Sequence, residues 1–370
     1  MPRLRYVITS IFILLTVTSL SLFIYIKTGP QINQGEEFNE TYLLNPDVEI
    51  KEWVTGLEVP WAIVFLDNET ALVTERPGRI RIIKNGELQP EPYLEVQADA
   101  RGEGGLMGID KHPDFENNPY IYIMYTTTED NRISKIIHND SNGIYNGSIL
   151  KGLEKSLNHN GGRIKFGPDG YLYITTGEQF RPSRSQSLES LSGKILRIKP
   201  DGAIPQSNPF GNEIYSYGHR NSQGLAWNNQ GELYSSEHGP SGEFAILGHD
   251  EINKIIKGQN YGWPEVVGYS NKTEYKNPEF LFIEATPPAG MDFHEGYLFV
   301  ATLRSRALLK INLEQRQVTR WFNDQEQNVY GRLRDVKSHN GYLYVLTSNR
   351  DGRGTPNEGD DKILRIKTSQ

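Results

Sequence analysis

The sequence predicts an all-β protein, a six-bladed β-propeller preceded by an N-terminal transmembrane helix. Three observations carry this expectation. A phrase of apolar alternation, a Gly/Asp/Asn turn, aromatic alternation and a short closing strand recurs six times. No long stretch of helical apolar period follows Ile26. The 370 residues include 36 Gly, 20 Tyr and 20 Pro, the mixture of turn formers and aromatic strand formers that all-β chains use.

The N-terminus is unlike the rest. Val7 to Ile26 carries no charge; 14 of its 20 residues are apolar and the other six are Ser or Thr. A helix of that length spans about 30 Å, one hydrocarbon core. Arg3 and Arg5 precede it, which by the positive-inside rule leaves the rest of the chain on the extracytoplasmic side. No small-residue cleavage site of the Ala-x-Ala kind follows, so residues 1–27 are expected to be a retained membrane anchor rather than a removed signal peptide, which would leave the protein secreted. Residues 28–45 are polar and expected to be a linker, with the propeller occupying 46–370. Sequons at Asn39, Asn68, Asn139, Asn146 and Asn271 agree with export.

The six copies start at Trp61, Gly105, Gly162, Gly224, Gly290 and Asp335, with steps of 44, 57, 62, 66 and 45 residues. A four-stranded blade needs about 40–50 residues, so the middle steps leave room for elaborated loops on the third to fifth blades. In such a fold the first strand of each blade lines a central channel, and loops from every blade converge at its mouth.

Bulk properties exclude several functions. With a formal net charge of -7 and no basic block beyond the N-terminus, nucleic acid is not an expected partner. The absence of Cys excludes disulfides, thiol catalysis and Cys-ligated zinc.

Four phrases could carry chemistry at the mouth. In the third blade, Asn158-His159-Asn160-Gly161-Gly162 leads into a strand, a Pro168-Asp169-Gly170 turn and a second strand ending at Glu178. If those strands pair, His159 and Glu178 emerge at the same end, as a base and its orienting carboxylate often do. Gly218-His219-Arg220-Asn221 sets a guanidinium beside an amide, suited to a ligand rich in carboxylates and carbonyls. Glu237-His238-Gly239-Pro240 is a turn able to point carbonyls at a hard cation, a weak signal taken alone; Asp250 and Glu251 beyond it suit a structural turn or a peripheral metal site. Arg332 and Arg334 alternate on one side of an extended segment, which requires an anion or acids such as Asp335 between them, and Arg304 could join the same patch. The other histidines show no zinc-site spacing and are expected mostly in loops or on the surface.

Together these phrases, with Gly102-Glu103-Gly104-Gly105-Leu106 and Asn260-Tyr261-Gly262-Trp263-Pro264, resemble the soluble PQQ-dependent glucose/sorbosone (aldose sugar) dehydrogenase family from about Val59 to Ile366. The resemblance implies a six-bladed propeller that binds PQQ and Ca²⁺ and oxidises the C1 hydroxyl of an aldose to a lactone, passing electrons to an external acceptor. It implies that His159 is the general base, that Glu178 orients it, and that Arg220 and Asn221 contact the quinone oxygens. It further implies that Arg332 and Arg334 bind cofactor carboxylates and that Gly239 and Pro240 offer carbonyl ligands to Ca²⁺. Two positions depart from the pattern near the cofactor: Glu103 stands where some members have Gln, and Arg304 where some have Lys. Asn158 replaces an Asp before the histidine. A calcium-dependent propeller hydrolase of lactonase type, with His159 activating water, and a non-catalytic binding propeller are the alternative readings.

Overall fold

The computed structural model describes residues 30–33, 35, 37–323 and 329–368. They form six mainly antiparallel blade sheets around a central channel, with one further two-stranded parallel sheet. Every expected copy becomes a blade. The inner strands are Pro60–Phe65, Leu106–Lys111, Ile164–Phe166, Ser222–Trp227, Pro288–His294 and Leu333–His339. Each starts within two residues of its sequence marker. These strands are largely buried between the channel and the neighbouring blades; Pro60–Phe65 is apolar throughout, whereas Leu333–His339 carries Arg334, Asp335 and Lys337 among its apolar residues.

Ring closure lies outside the repeat pattern. Blade six takes its outer strand from the N-terminal side: Glu49–Val54 pairs antiparallel with Ile363–Lys367. Both ends of the propeller are thereby stitched into one sheet. The stretch expected to be a linker is partly strand as well. Asn39–Leu43 adds in parallel to Gln317–Trp321 on blade five, and Gln31–Asn33 pairs in parallel with Val266–Gly268. The pairing suits Asn39–Leu43, because unsatisfied edge groups on blade five gain partners. The expected membrane helix over residues 1–27 lies outside the described residues. Among the described residues no helix is long and apolar enough to cross a membrane.

The channel is filled at its waist. The Trp61 ring lies beneath the guanidiniums of Arg163, 4.3 Å from its centroid, and Arg334, 5.8 Å away. Arg163 pairs with Asp335 at 3.0 Å. Gly290 passes so close that an added Cβ would sit 1.7 Å from Asp335 Oδ1. Two residues farther along the inner strands, Lys165 pairs with Asp292 at 2.6 Å, and the Ser338 amide donates to the same carboxylate at 2.9 Å. Asp110 accepts from the Phe166 amide at 2.7 Å. With the waist plugged by paired charges, the polar groups still able to meet a ligand lie at the opposite mouth, where the loops leading into the inner strands converge.

Candidate active site

The third-blade hairpin forms as expected: Ile164 pairs with Ile174 and Phe166 with Leu172. His159 and Glu178 therefore meet at its open end, with Nδ1 and Oε1 2.5 Å apart. His159 is 5% exposed and Glu178 fully buried. The backbone of His159 is left-handed, φ 57°, a conformation that costs a non-glycine residue on the order of 1 kcal/mol. Three contacts compensate. Its amide donates to Glu103 Oε2 at 3.0 Å, its carbonyl accepts from Gln179 Nε2 at 3.2 Å, and Gly177 allows the close approach, since a Cβ there would lie 2.0 Å from that carbonyl.

The second ring nitrogen identifies the tautomer. Arg220 Nη2 lies 3.0 Å from His159 Nε2. A guanidinium only donates, so Nε2 carries the lone pair and Nδ1–H donates to Glu178. His159 is thus held as a neutral imidazole with its basic nitrogen facing the mouth.

Arg220 is positioned from beneath. Its amide and Ser222 Oγ both donate to the buried Glu237 carboxylate, which also lies 2.8 Å from His219 Nδ1. His219 is fully buried, bonded to Ser216 Oγ and stacked on Tyr261 with centroids 4.5 Å apart. It is a buried strut in the loop between Ile214–Tyr217 and Ser222–Trp227, so the loop position expected for most of the histidines holds here, although the residue is in the core and not on the surface. The Arg220 guanidinium donates to the His238 carbonyl at 3.1 Å and to Glu243 at 2.5 Å. His159, Glu178 and Glu243 present ligand atoms within 4.8 Å of one another, but Arg220 lies against two of them, so those groups already hold a cation. Asn221 is fully buried; its Oδ1 accepts from the Gly161 amide at 3.0 Å, and its Nδ2 has no acceptor among the described residues.

Arg332 and Arg334 both reach the mouth, but their partners are not the expected one. Arg332 grips Asp351 through Nε and Nη2 at 3.0 and 2.8 Å, while Asp335 is taken by Arg163. Arg334 donates to Gln223 at 3.2 Å, and its Nε lacks an acceptor among the described residues. Burial, with Arg332 and Arg76 close by, pulls Arg334 down to about 9. Cations that destabilise one another in this way favour an incoming anion. Arg304 is exposed, in the turn between Tyr297–Thr302 and Leu308–Asn312, and among the described residues it forms no hydrogen bond or ion pair with this group.

Glu103 is engaged on both oxygens: Oε2 accepts from the His159 amide and Oε1 from Arg353 at 2.9 Å. Burial alone would raise this carboxyl, but His238, Arg353 and the His159 amide together bring it down to about 2. His238 is itself pushed down to about 3 by burial and by Arg220 and Arg334, so Arg353 is the cation that matters to Glu103 at neutral pH. At the mouth Arg220, Arg332 and Arg353 form ion pairs with Glu243, Asp351 and Glu103, whereas Arg76 and Arg334 form no ion pair among the described residues.

Gly239 and Pro240 line a small cleft with Glu237 and Glu251. Asp250 pins this turn by accepting from the Gly239 amide at 2.9 Å and the Thr286 amide at 2.7 Å. Asp250 is therefore a structural turn residue, one of the two roles its position suggested. Oxygen-rich surroundings of this kind suit a hard cation.

Sequence reasoning missed Glu243, Asp351, Arg353 and Phe180. The Phe180 ring is 4.4 Å from that of His159 and half exposed. Glu243 directly follows the Gly239–Gly242 phrase, and the charged run Arg350-Asp351-Gly352-Arg353 was a signal in its own right.

A family model described as Glucose / Sorbosone dehydrogenase matches residues 57–364. The aldose sugar dehydrogenase YliI of Escherichia coli K12 is 32% identical over 341 residues, covering 80% of this chain and 89% of its own. The PQQ-bound aldose sugar dehydrogenase of Streptomyces coelicolor superposes with a TM-score of 0.80 at 35% identity, over 87% of this chain and 99% of that one. An oxidoreductase of the glucose dehydrogenase type from Thermus thermophilus gives 0.80 at 45% identity, over 86% and 99%. With the fold, the site and these likenesses in agreement, the chain belongs to the Glucose / Sorbosone dehydrogenase family.

Proposed function

We propose that the protein is a PQQ-dependent aldose dehydrogenase that converts a sugar's C1 hydroxyl to the lactone, with His159 as general base. The observation that carries this reading is the neutral His159 imidazole, backed by Glu178, beside buried cationic donors that lack acceptors. PQQ suits this set: Arg334 Nε, Arg220 Nε and Asn221 Nδ2 have no acceptor among the described residues and would meet its carboxylates and quinone oxygens, and Arg332, now held by Asp351, would add to the carboxylate contacts. When bound, PQQ supplies the two-electron acceptor for the hydrogen on the sugar's C1. The carbonyls of Gly239 and Pro240 would hold the accompanying Ca²⁺, which acts as a Lewis acid.

The chain's own residues do the rest. His159 Nε2 takes the hydroxyl proton, and Glu178 stabilises the imidazolium that forms. Arg220 caps that lone pair and also holds Glu243. Base action therefore requires Arg220 to exchange its bond to His159 for one to the ligand. Phe180 offers an exposed aromatic face beside the base, a platform for the apolar face of a pyranose. Electrons then leave to an external acceptor. The N-terminal segment would tether the propeller on the extracytoplasmic side of a membrane.

The test adds PQQ and Ca²⁺ to purified propeller and follows dye reduction with a panel of aldoses. Aldose-dependent reduction is expected. No reduction, together with an unchanged PQQ absorption spectrum, would overturn the assignment. Hydrolysis of lactones without PQQ would favour the hydrolase reading.

A further inference from the structure

A carboxylate at position 103, beside an anionic cofactor, needs a physical reason to be tolerated. Three observations supply one. Arg353 reaches Glu103 across 250 residues of sequence and Asn158 across 195, at 2.9 and 3.3 Å, so a loop of blade six spans the mouth to the loops before blades two and three. The other Glu103 oxygen holds the backbone of the proposed base. The Arg353 amide in turn donates to Asp351 Oδ1 at 2.9 Å, and Asp351 Oδ2 receives Arg332. One chain of contacts therefore runs from Arg332 through Asp351, Arg353 and Glu103 to His159.

We infer that Arg353 is a positioning residue that closes this strap, neutralising Glu103 so that its carboxylate can orient the His159 backbone without repelling an anionic cofactor. The inference rests on the PQQ reading above. Arg353 acts through Glu103 rather than by touching the cofactor, and this separates it from Arg332 and Arg334. Removing Arg353 should leave an uncompensated negative charge at the mouth. Removing the Glu103 charge as well should restore binding, because a glutamine side chain at that position would still accept from the His159 amide.

The experiment titrates PQQ, with Ca²⁺ present, into wild type, R353A, E103Q and the double variant, following quenching of tryptophan fluorescence at low and high salt. R353A is expected to weaken binding about tenfold at low salt and less at high salt, as a charge effect should. E103Q alone should bind within about twofold of wild type, and the double variant within about threefold. A double variant as weak as R353A, or R353A binding like wild type, would overturn the inference. A second arm uses the apo proteins: a urea-unfolding cycle over the same four should show that the two substitutions are not additive. Additive effects there would show that the pair is absent in solution and would overturn the inference without reference to PQQ. Failure of wild type to bind PQQ while the apo cycle shows coupling would sink the functional reading and leave the Glu103–Arg353 pair standing.

Discussion

Glu178→Gln isolates the contribution of one buried charge to the proposed base. Glu178 is fully buried, and its Oε1 receives the Nδ1–H of His159 at 2.5 Å. Gln can keep an acceptor there, so the imidazole need not turn. What disappears is the negative charge that meets the imidazolium formed when His159 takes a proton. Opposite charges about 4 Å apart attract by about 4 kcal/mol at an effective dielectric of 20. Glu178 Oε2 has no partner among the described residues, so the Gln amide would also leave a buried donor unsatisfied at that place. Taking the electrostatic part alone, kcat for aldose oxidation should fall about 10³-fold. PQQ affinity should stay within about twofold, because the carboxylate faces the histidine and not the arginine cluster. Steady-state dye reduction measures the first quantity and fluorescence titration the second. A kcat within tenfold of wild type would refute the argument, since the charge would then contribute little to the transition state. Glu178→Asp, which keeps the charge but retracts it, should fall between the two.

Phe180→Ala should raise KM for aldoses about tenfold while leaving PQQ affinity unchanged, because it removes an exposed ring 4.4 Å from the base and nothing beneath it; an unaltered KM would remove Phe180 from the sugar site. Gly290→Ala drives a methyl onto Asp335 and disrupts its buried pair with Arg163, so urea unfolding should show a loss of about 3 kcal/mol or more; a loss under about 1 kcal/mol would mean that the waist can relax. Glu251 is pushed up to about 8 by burial and by the nearby Glu237 carboxylate. The folded state then binds its proton more tightly than the unfolded state, so its contribution is full below about pH 4.5 and is lost as pH rises toward 8. Apo stability over that window should fall with pH, and Glu251→Gln should flatten the fall; an unchanged slope would show that Glu251 is not the titrating group.

The parts legible in the sequence were local. Alternating strands and Gly-rich turns recorded all six blades, because strands paired within a blade and packed against the next need apolar side chains at alternate positions, bounded by tight turns. The same locality placed His159 and Glu178 together, since a two-strand hairpin brings its two ends to one point. Closure by Glu49–Val54 was not legible, because an edge strand carries no pattern that names its partner. Nor was the choice of ion pairs. Asp335 adjoins Arg334 in sequence, yet alternation along the strand carries the two apart, and Arg163 of another blade takes the acid. Arg332 finds Asp351 instead, and Arg353 reaches a glutamate 250 residues away. A charge is paired by proximity in space and by the water excluded around it. The sequence by itself determined the repeated blade phrase, its six copies and the hairpin that unites base and carboxylate. Only the closed ring, which brings loops from several blades to one dry mouth, decided which arginines are already paired, which still lack an acceptor, and why a glutamate at position 103 can stand beside them.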